Sequence, residues 1–237
     1  MFATEGVKET SVRQSCPTHD DLANIACTHG KEVSFDRRAV IATCRSPLET
    51  VYLIRSGCAV CYVDLPCGRT FYPQLFIPGD FAPARVLVHG DVRVNLMALN
   101  KVTATALPRA QLFALLDERP SLYPALTQEL LSSIQKCSLR GTITNFGDAQ
   151  SKLVAFLAEL WLRSRPDELP KVGDAIPLGI TQTEIGLING LSKAQTSRTF
   201  RELEQAGKLV RTDRLITILD PEPIREALQD FKAMGLF

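Results

Sequence analysis

The side chains best placed to do chemistry lie between positions 193 and 214. Six basic residues, Lys193, Arg198, Arg201, Lys208, Arg211 and Arg214, stand there against three acidic ones, Glu202, Glu204 and Asp213. A local positive stripe is what contact with nucleic-acid phosphates requires. The net charge of +1 over the whole chain gives no general affinity for polyanions, so binding must depend on that stripe. Other reactive groups are sparser. The chain has seven cysteines, of which Cys58, Cys61 and Cys67 follow the spacing C-x2-C-x5-C, and three histidines, His19, His29 and His89. There is no Ser-His-Asp order, phosphate-cradling glycine loop, paired-histidine metal motif or carboxylate pair, so enzyme activity is not expected.

The elements that must carry the stripe read as two short helices around a tight turn. Thr181 and Glu184 form one capping box and Ser192 and Gln195 another: each hydroxyl takes an orphan amide of the first turn while the longer side chain reaches back. Gly190 suits the left-handed residue that ends the first helix, and Gly207 stops the second. In the second helix Phe200, Leu203 and Ala206 are expected to face the core, leaving Lys193, Gln195, Ser197, Arg198 and Arg201 outside. Lys208 to Arg211 and Arg214 to Leu219 are β-rich runs joined by Thr212 and Asp213, a hairpin wing. Lys208 and Arg211 on that wing are expected to contact phosphate.

Upstream the chain changes character twice. From about Lys31 to Leu107 short β-rich runs alternate with turns such as Pro66-Cys-Gly68 and Pro78-Gly-Asp80, the pattern of a small antiparallel barrel or sandwich. After Pro108 the spacing becomes helical. A long helix from Pro120 to about Thr144 carries Tyr123, Thr127, Leu130, Ile134, Cys137, Gly141 and Thr144 at alternating spacings of four and three, the seam of a two-helix coiled coil. Residues 145–148 interrupt it before helical spacing resumes at Ala149. The expected organisation is α+β: a flexible arm (1–20), a β-barrel sensor-like domain (21–118), a dimerisation helix (119–145) and a winged helix-turn-helix domain (146–237). On this reading only the long helix and the hinge at 145–148 carry a signal from barrel to reading helices. With 237 residues, 45% hydrophobic, there is enough apolar material for two cores. No apolar stretch suits a membrane helix or signal peptide, so a cytoplasmic protein with reduced thiols is expected.

This order of elements resembles the CRP/FNR family of bacterial transcription regulators. The likeness runs from about residue 30 and rests on Tyr52-Leu-Ile-Arg-Ser-Gly57, Pro78-Gly-Asp80 and most specifically Leu191-Ser-Lys-Ala-Gln-Thr-Ser-Arg198. It implies a cyclic-nucleotide-binding-like barrel and, as partners, double-stranded DNA at a pseudo-palindromic site, a second copy of the chain and RNA polymerase. It also implies that Ser197 and Arg198 lie on the recognition helix and that Arg198 contacts a guanine, whose O6 and N7 match the arginine fork. The position four residues before that arginine usually holds a glutamate; here it is Ala194, so a different half-site is expected.

Effector binding departs from the family too. The resemblance places Ala84 where cyclic-nucleotide-binding members carry a ribose-binding glutamate, and Arg93 is followed by Val94 rather than a small hydroxyl. Cyclic nucleotide dependence is therefore not expected, and neither is a resident cofactor. The alternative is redox or metal sensing through cysteine thiols, an iron–sulfur cluster or haem. The C-x2-C-x5-C spacing matches three cluster ligands of iron–sulfur members but falls on a barrel strand, where residues three apart face opposite ways. Cys137 on the seam would face its own copy, and His89 is the haem-ligand candidate.

Overall fold

The computed structural model describes residues 19–66, 68, 70–88, 92–177, 179–212 and 215–235. The arm reading over residues 1–18, and with it Cys16, lies outside the described residues, as do Cys67, His89, Asp213 and Arg214. His19 and Asp20 do not belong to an arm: they open helix α1 (His19–His29). Asp20 and Asp21 suit the positive end of that helix, and Leu22, Ile25 and Ala26 bury one face of it.

Eight strands follow: β1 (Lys31–Phe35), β2 (Val40–Ala42), β3 (Thr50–Ser56), β4 (Ala59–Asp64), β5 (Thr70–Phe76), β6 (Phe81–Ala82), β7 (Asn95–Ala98) and β8 (Val102–Pro108). They form two antiparallel four-stranded sheets, ordered β1-β8-β3-β6 and β2-β7-β4-β5, a flattened barrel. The pleat of β3 explains how one sheet serves two cores. Val51 and Leu53 pack under α1, whereas Tyr52 and Ile54 turn inward between the sheets. Val92 makes only an isolated bridge to Leu48, and regular pairing begins at Asn95.

The remaining elements are α2 (Arg109–Glu118), α3 (Tyr123–Phe146), α4 (Ala149–Ser164), β9 (Ala175–Pro177), α5 (Gln182–Asn189), α6 (Lys193–Gln205), β10 (Leu209–Thr212), β11 (Leu215–Ile218) and α7 (Glu222–Ala233). The break between α3 and α4 is shorter than residues 145–148. Asn145 is still helical, Gly147 is extended, and the Asp148 carboxylate caps α4 by accepting from Ser151 N at 2.7 Å. Among the described residues no helix is long and apolar enough to cross a membrane.

The barrel and the C-terminal helices do not keep separate cores. Cys58, Val60, Tyr72, Leu75, Ile77 and Leu99 of the sandwich pack in one buried cluster with Leu139 and Ile143 of α3, Phe156 and Trp161 of α4, and Phe200 of α6. The expectation that only the long helix and hinge link the two ends is therefore corrected: strand β5 touches α5 directly. Shared apolar burial at roughly 25 cal/mol per Å² favours this closed arrangement over a jointed one.

Candidate nucleic-acid interface

Both capping boxes form. Thr181 N donates to Glu184 Oε2 at 2.7 Å and Glu184 N to Thr181 Oγ1 at 3.3 Å; Ser192 N donates to Gln195 Oε1 at 2.9 Å and Gln195 N to Ser192 Oγ at 3.2 Å. Between the helices Gly190 takes φ 64°, the left-handed turn that only glycine adopts at little cost. A second glycine sets the packing. A Cβ on Gly186 would come within 2.6 Å of Thr196 Oγ1 and 2.9 Å of Leu191 O, so α5 and α6 cross closely only because no side chain is there. An isolated glycine inside a helical pattern is the sequence signal for that approach.

Helix α6 buries Thr196, Thr199, Phe200 and Leu203. At about 100° per residue the opposite face presents Ala194, Arg198, Arg201 and Gln205, with Lys193 and Ser197 on one flank and Gln195 and Glu202 on the other. Lys193, Ala194, Gln195, Arg198 and Arg201 are exposed and Ser197 half-buried. Ala206 is not a core residue: the helix ends there and it is exposed, while the threonines take the inner positions. Among the described residues Arg198 has neither a hydrogen bond nor an ion pair, so a contact with Glu202 does not occupy it there.

The wing is a three-stranded sheet, since β9 adds to the far side of β11. Its two expected phosphate-binding residues are already engaged. Arg211 grips Glu204 of α6 through Nε and Nη2, both at 2.8 Å, and lies 4.5 Å over the Phe200 ring. That guanidinium holds the Glu204 carboxyl below the usual carboxylate range. Lys208 pairs with Asp220. Neither presents an uncompensated charge; Arg211 instead fastens the wing to α6 through a fork that matches carboxylate geometry. The wing turn at 212–214 falls partly outside the described residues.

Buried charges join this unit to the rest of the molecule. Arg140 of α3 donates through Nη1 to Asn189 Oδ1 at the end of α5, at 3.2 Å, and through Nη2 to Glu159 of α4. The other oxygen of Glu159 accepts from Arg163 Nη1 at 2.7 Å, and Arg163 Nη2 reaches Asp80 in the sandwich. Asp80 also takes Lys136 Nζ at 2.8 Å and the amide of Ile77 at 2.7 Å. Burial alone would raise the Asp80 carboxyl, but Arg163 and Lys136 outweigh it and hold the group low. A second link runs from Arg37 and Arg38, at 3.2 and 3.4 Å, to Glu184, the carboxylate of the first capping box. His19 Nδ1 meets Glu129 Oε2 at 2.8 Å and ties α1 to α3.

Residues 151–233 match the Crp-like helix-turn-helix domain. Over 199 residues the chain is 26% identical to the nitrogen fixation regulation protein FixK of Bradyrhizobium diazoefficiens, covering 84% of this chain and 82% of that one. The C-terminal residues thus form a Crp-like helix-turn-helix domain, and the chain as a whole is similar to CRP/FNR regulators. The match makes it a DNA-binding transcription regulator of the CRP/FNR type, with α5 and α6 as the helix-turn-helix. Two solved structures share the fold. FixK2 of Bradyrhizobium japonicum superposes with a TM-score of 0.72 at 20% identity, over 84% of this chain and 96% of that one. A CRP-family transcriptional regulator of Thermus thermophilus gives 0.65 at 17%, over 83% and 96%.

Within this CRP/FNR fold, α3 turns the expected seam outward. Tyr123, Thr127, Ile134 and Cys137 are exposed, and Leu130 and Gly141 half-buried. Leu131, absent from the seam spacing, is 56% exposed beside Ile134 at 62%. Thr144 is half-buried and its hydroxyl donates back to Arg140 O at 2.9 Å. In the barrel, Cys58 and Cys61 face different clusters, and burial pushes their thiols up to about 11 and about 12. Among the described residues no group of three or more His, Cys, Asp or Glu side chains could hold a metal ion.

Proposed function

We propose that the protein binds a pseudo-palindromic operator as a homodimer through the outward stripe of α3, and reads each half-site with α6 without cyclic nucleotide. The observation that carries this reading is Arg198: exposed, uncommitted among the described residues, and central on the free face of a doubly capped helix. The dimer is supported by Leu131 and Ile134, two large apolar side chains left more than half exposed on one helix face. Independence from cyclic nucleotide is supported by Ala84, which is 3% exposed and offers no carboxylate, and by Arg93, whose Nη1 donates to Arg45 O at 3.3 Å. Lys193, Ser197 and Arg201 supply flanking contacts, and RNA polymerase is the downstream partner, in the cytoplasm.

Arg198→Ala tests the assignment. It should cost roughly 1–3 kcal/mol of specific binding and relax preference at one guanine per half-site, since a bidentate arginine–guanine contact is worth about that much. Arg211→Ala should behave differently, loosening the wing rather than lowering the salt dependence. Fluorescence anisotropy against a panel of base variants decides it: an unchanged ranking with Arg198→Ala would remove that residue from base reading.

A further inference from the structure

The hydrogen-bonding groups on the reading face of α6 are unusually one-sided. Every base pair shows acceptors in the major groove, guanine O6 and N7, adenine N7 or thymine O4, together with one exocyclic amino donor on cytosine or adenine. A protein reads an amino group by offering it an acceptor. Along the outward centre of the first two turns stand Ala194 and Arg198, with Arg201 opening the third: a methyl group and two side chains that only donate; Gln205, on the same face, lies eleven residues and about 16 Å beyond Ala194, at the far end of the helix. The one amide in those turns, Gln195, has its oxygen engaged by Ser192 N at 2.9 Å in the capping box, so its NH2, a donor, is the group left to approach a base. That engagement also disrupts the two-point glutamine–adenine contact, which needs oxygen and nitrogen together. Lys193 adds three more donors. The carboxylate of Glu202 stands on a flank eight residues beyond Ala194, about 12 Å farther along the axis, away from the N-terminal turns that meet base edges. Ser197, half-buried on the other flank, carries a hydroxyl that can rotate to donate, so it too can meet a base or phosphate acceptor.

Building on the operator reading above, we infer that each half-site is recognised through base acceptors and a thymine methyl group, the latter packed on Ala194, and that no exocyclic amino group of adenine or cytosine is read. Specificity then rests on where guanine and thymine fall along the contacted strand. Ala194 is the residue that decides this, because it occupies the outward position where an acceptor would reach an amino group.

The test starts from an operator selected by the wild-type protein from random DNA. Single bases are then replaced to delete one group at a time: purine for adenine and 2-pyrimidinone for cytosine remove amino groups, 7-deazaguanine removes N7, and uracil removes the thymine methyl. Wild-type affinity should fall by about 5-fold or more with 7-deazaguanine at the Arg198 contact, fall with uracil at the Ala194 contact, and change less than about 3-fold with every amino deletion. The variant Ala194→Glu places a carboxylate in the first turn, where the helix dipole favours it, so it should fold. It should select a new base and lose about 5-fold or more when one amino group is deleted. A wild-type loss of tenfold on removing any single amino group would overturn the inference while leaving the operator reading intact. Failure to enrich any sequence would overturn both.

Discussion

Glu159→Ala should destabilise the protein by about 3–5 kcal/mol, the range expected when one partner is removed from a buried ion pair. Glu159 is 1% exposed and divides its two oxygens between Arg140 and Arg163, both buried. Without it Arg140 keeps only the Asn189 amide oxygen, a neutral acceptor, and Arg163 keeps Asp80 and the carbonyl of Leu75. The two guanidiniums would then repel each other in a medium that screens poorly. Because Arg140 also holds the end of α5, the loss should appear as early exposure of Trp161, buried on α4 beside Glu159. Urea unfolding followed by tryptophan fluorescence measures both. Glu159→Gln, which keeps volume and one acceptor, should lose less. A cost below about 1 kcal/mol for the alanine variant would mean that water replaces the carboxylate and that the site is not dry.

Ile134→Lys should convert the dimer to monomer at micromolar concentration. Among the described side chains of α3, Ile134 and Leu131 are the most exposed large apolar ones, and full burial of one such side chain is worth about 1.5–3 kcal/mol. In a twofold dimer the substitution acts twice and sets like charges near the axis. The dissociation constant should rise roughly 10²- to 10⁴-fold. Operator affinity should fall with it, because each monomer then holds one half-site alone. Light scattering and anisotropy on the same samples report the two effects; a variant that stays dimeric at 1 µM, taken as about a thousandfold above a typical nanomolar dimer, would move the interface elsewhere.

What the sequence revealed and what it concealed divide along the range of the interaction. The Thr181–Glu184 and Ser192–Gln195 boxes span three residues each, so their chemistry is complete within one helical turn and both were legible. Helix α7 is equally local: Ile224, Leu228 and Phe231 follow helical spacing after Pro221. The links between barrel and reading helices were not legible. Asp80 and Arg163 are 83 residues apart and Arg37 and Glu184 are 147 apart; local spacing places Asp80 in its turn and Glu184 in its capping box but names no distant partner for either. Arg211 has a partner of intermediate range. Its place on a basic wing suggests phosphate, and Glu204, seven residues earlier on α6, also faces it across the crossing of helix and strand. The choice of partner depends on that crossing, which the local sequence does not specify.

The central claim is that two copies of α6 read two half-sites in a fixed geometry. Recognition helices related by a twofold axis meet successive major grooves about 34 Å apart, so half-site centres should lie roughly 10 base pairs from one another. The most direct measurement is the affinity of the protein for its operator before and after insertion of about 5 base pairs, half a helical turn, between the half-sites. The account predicts that the insertion turns one half-site to the opposite side of the duplex and reduces binding to that of a single half-site. Equal affinity for the two DNAs would contradict it.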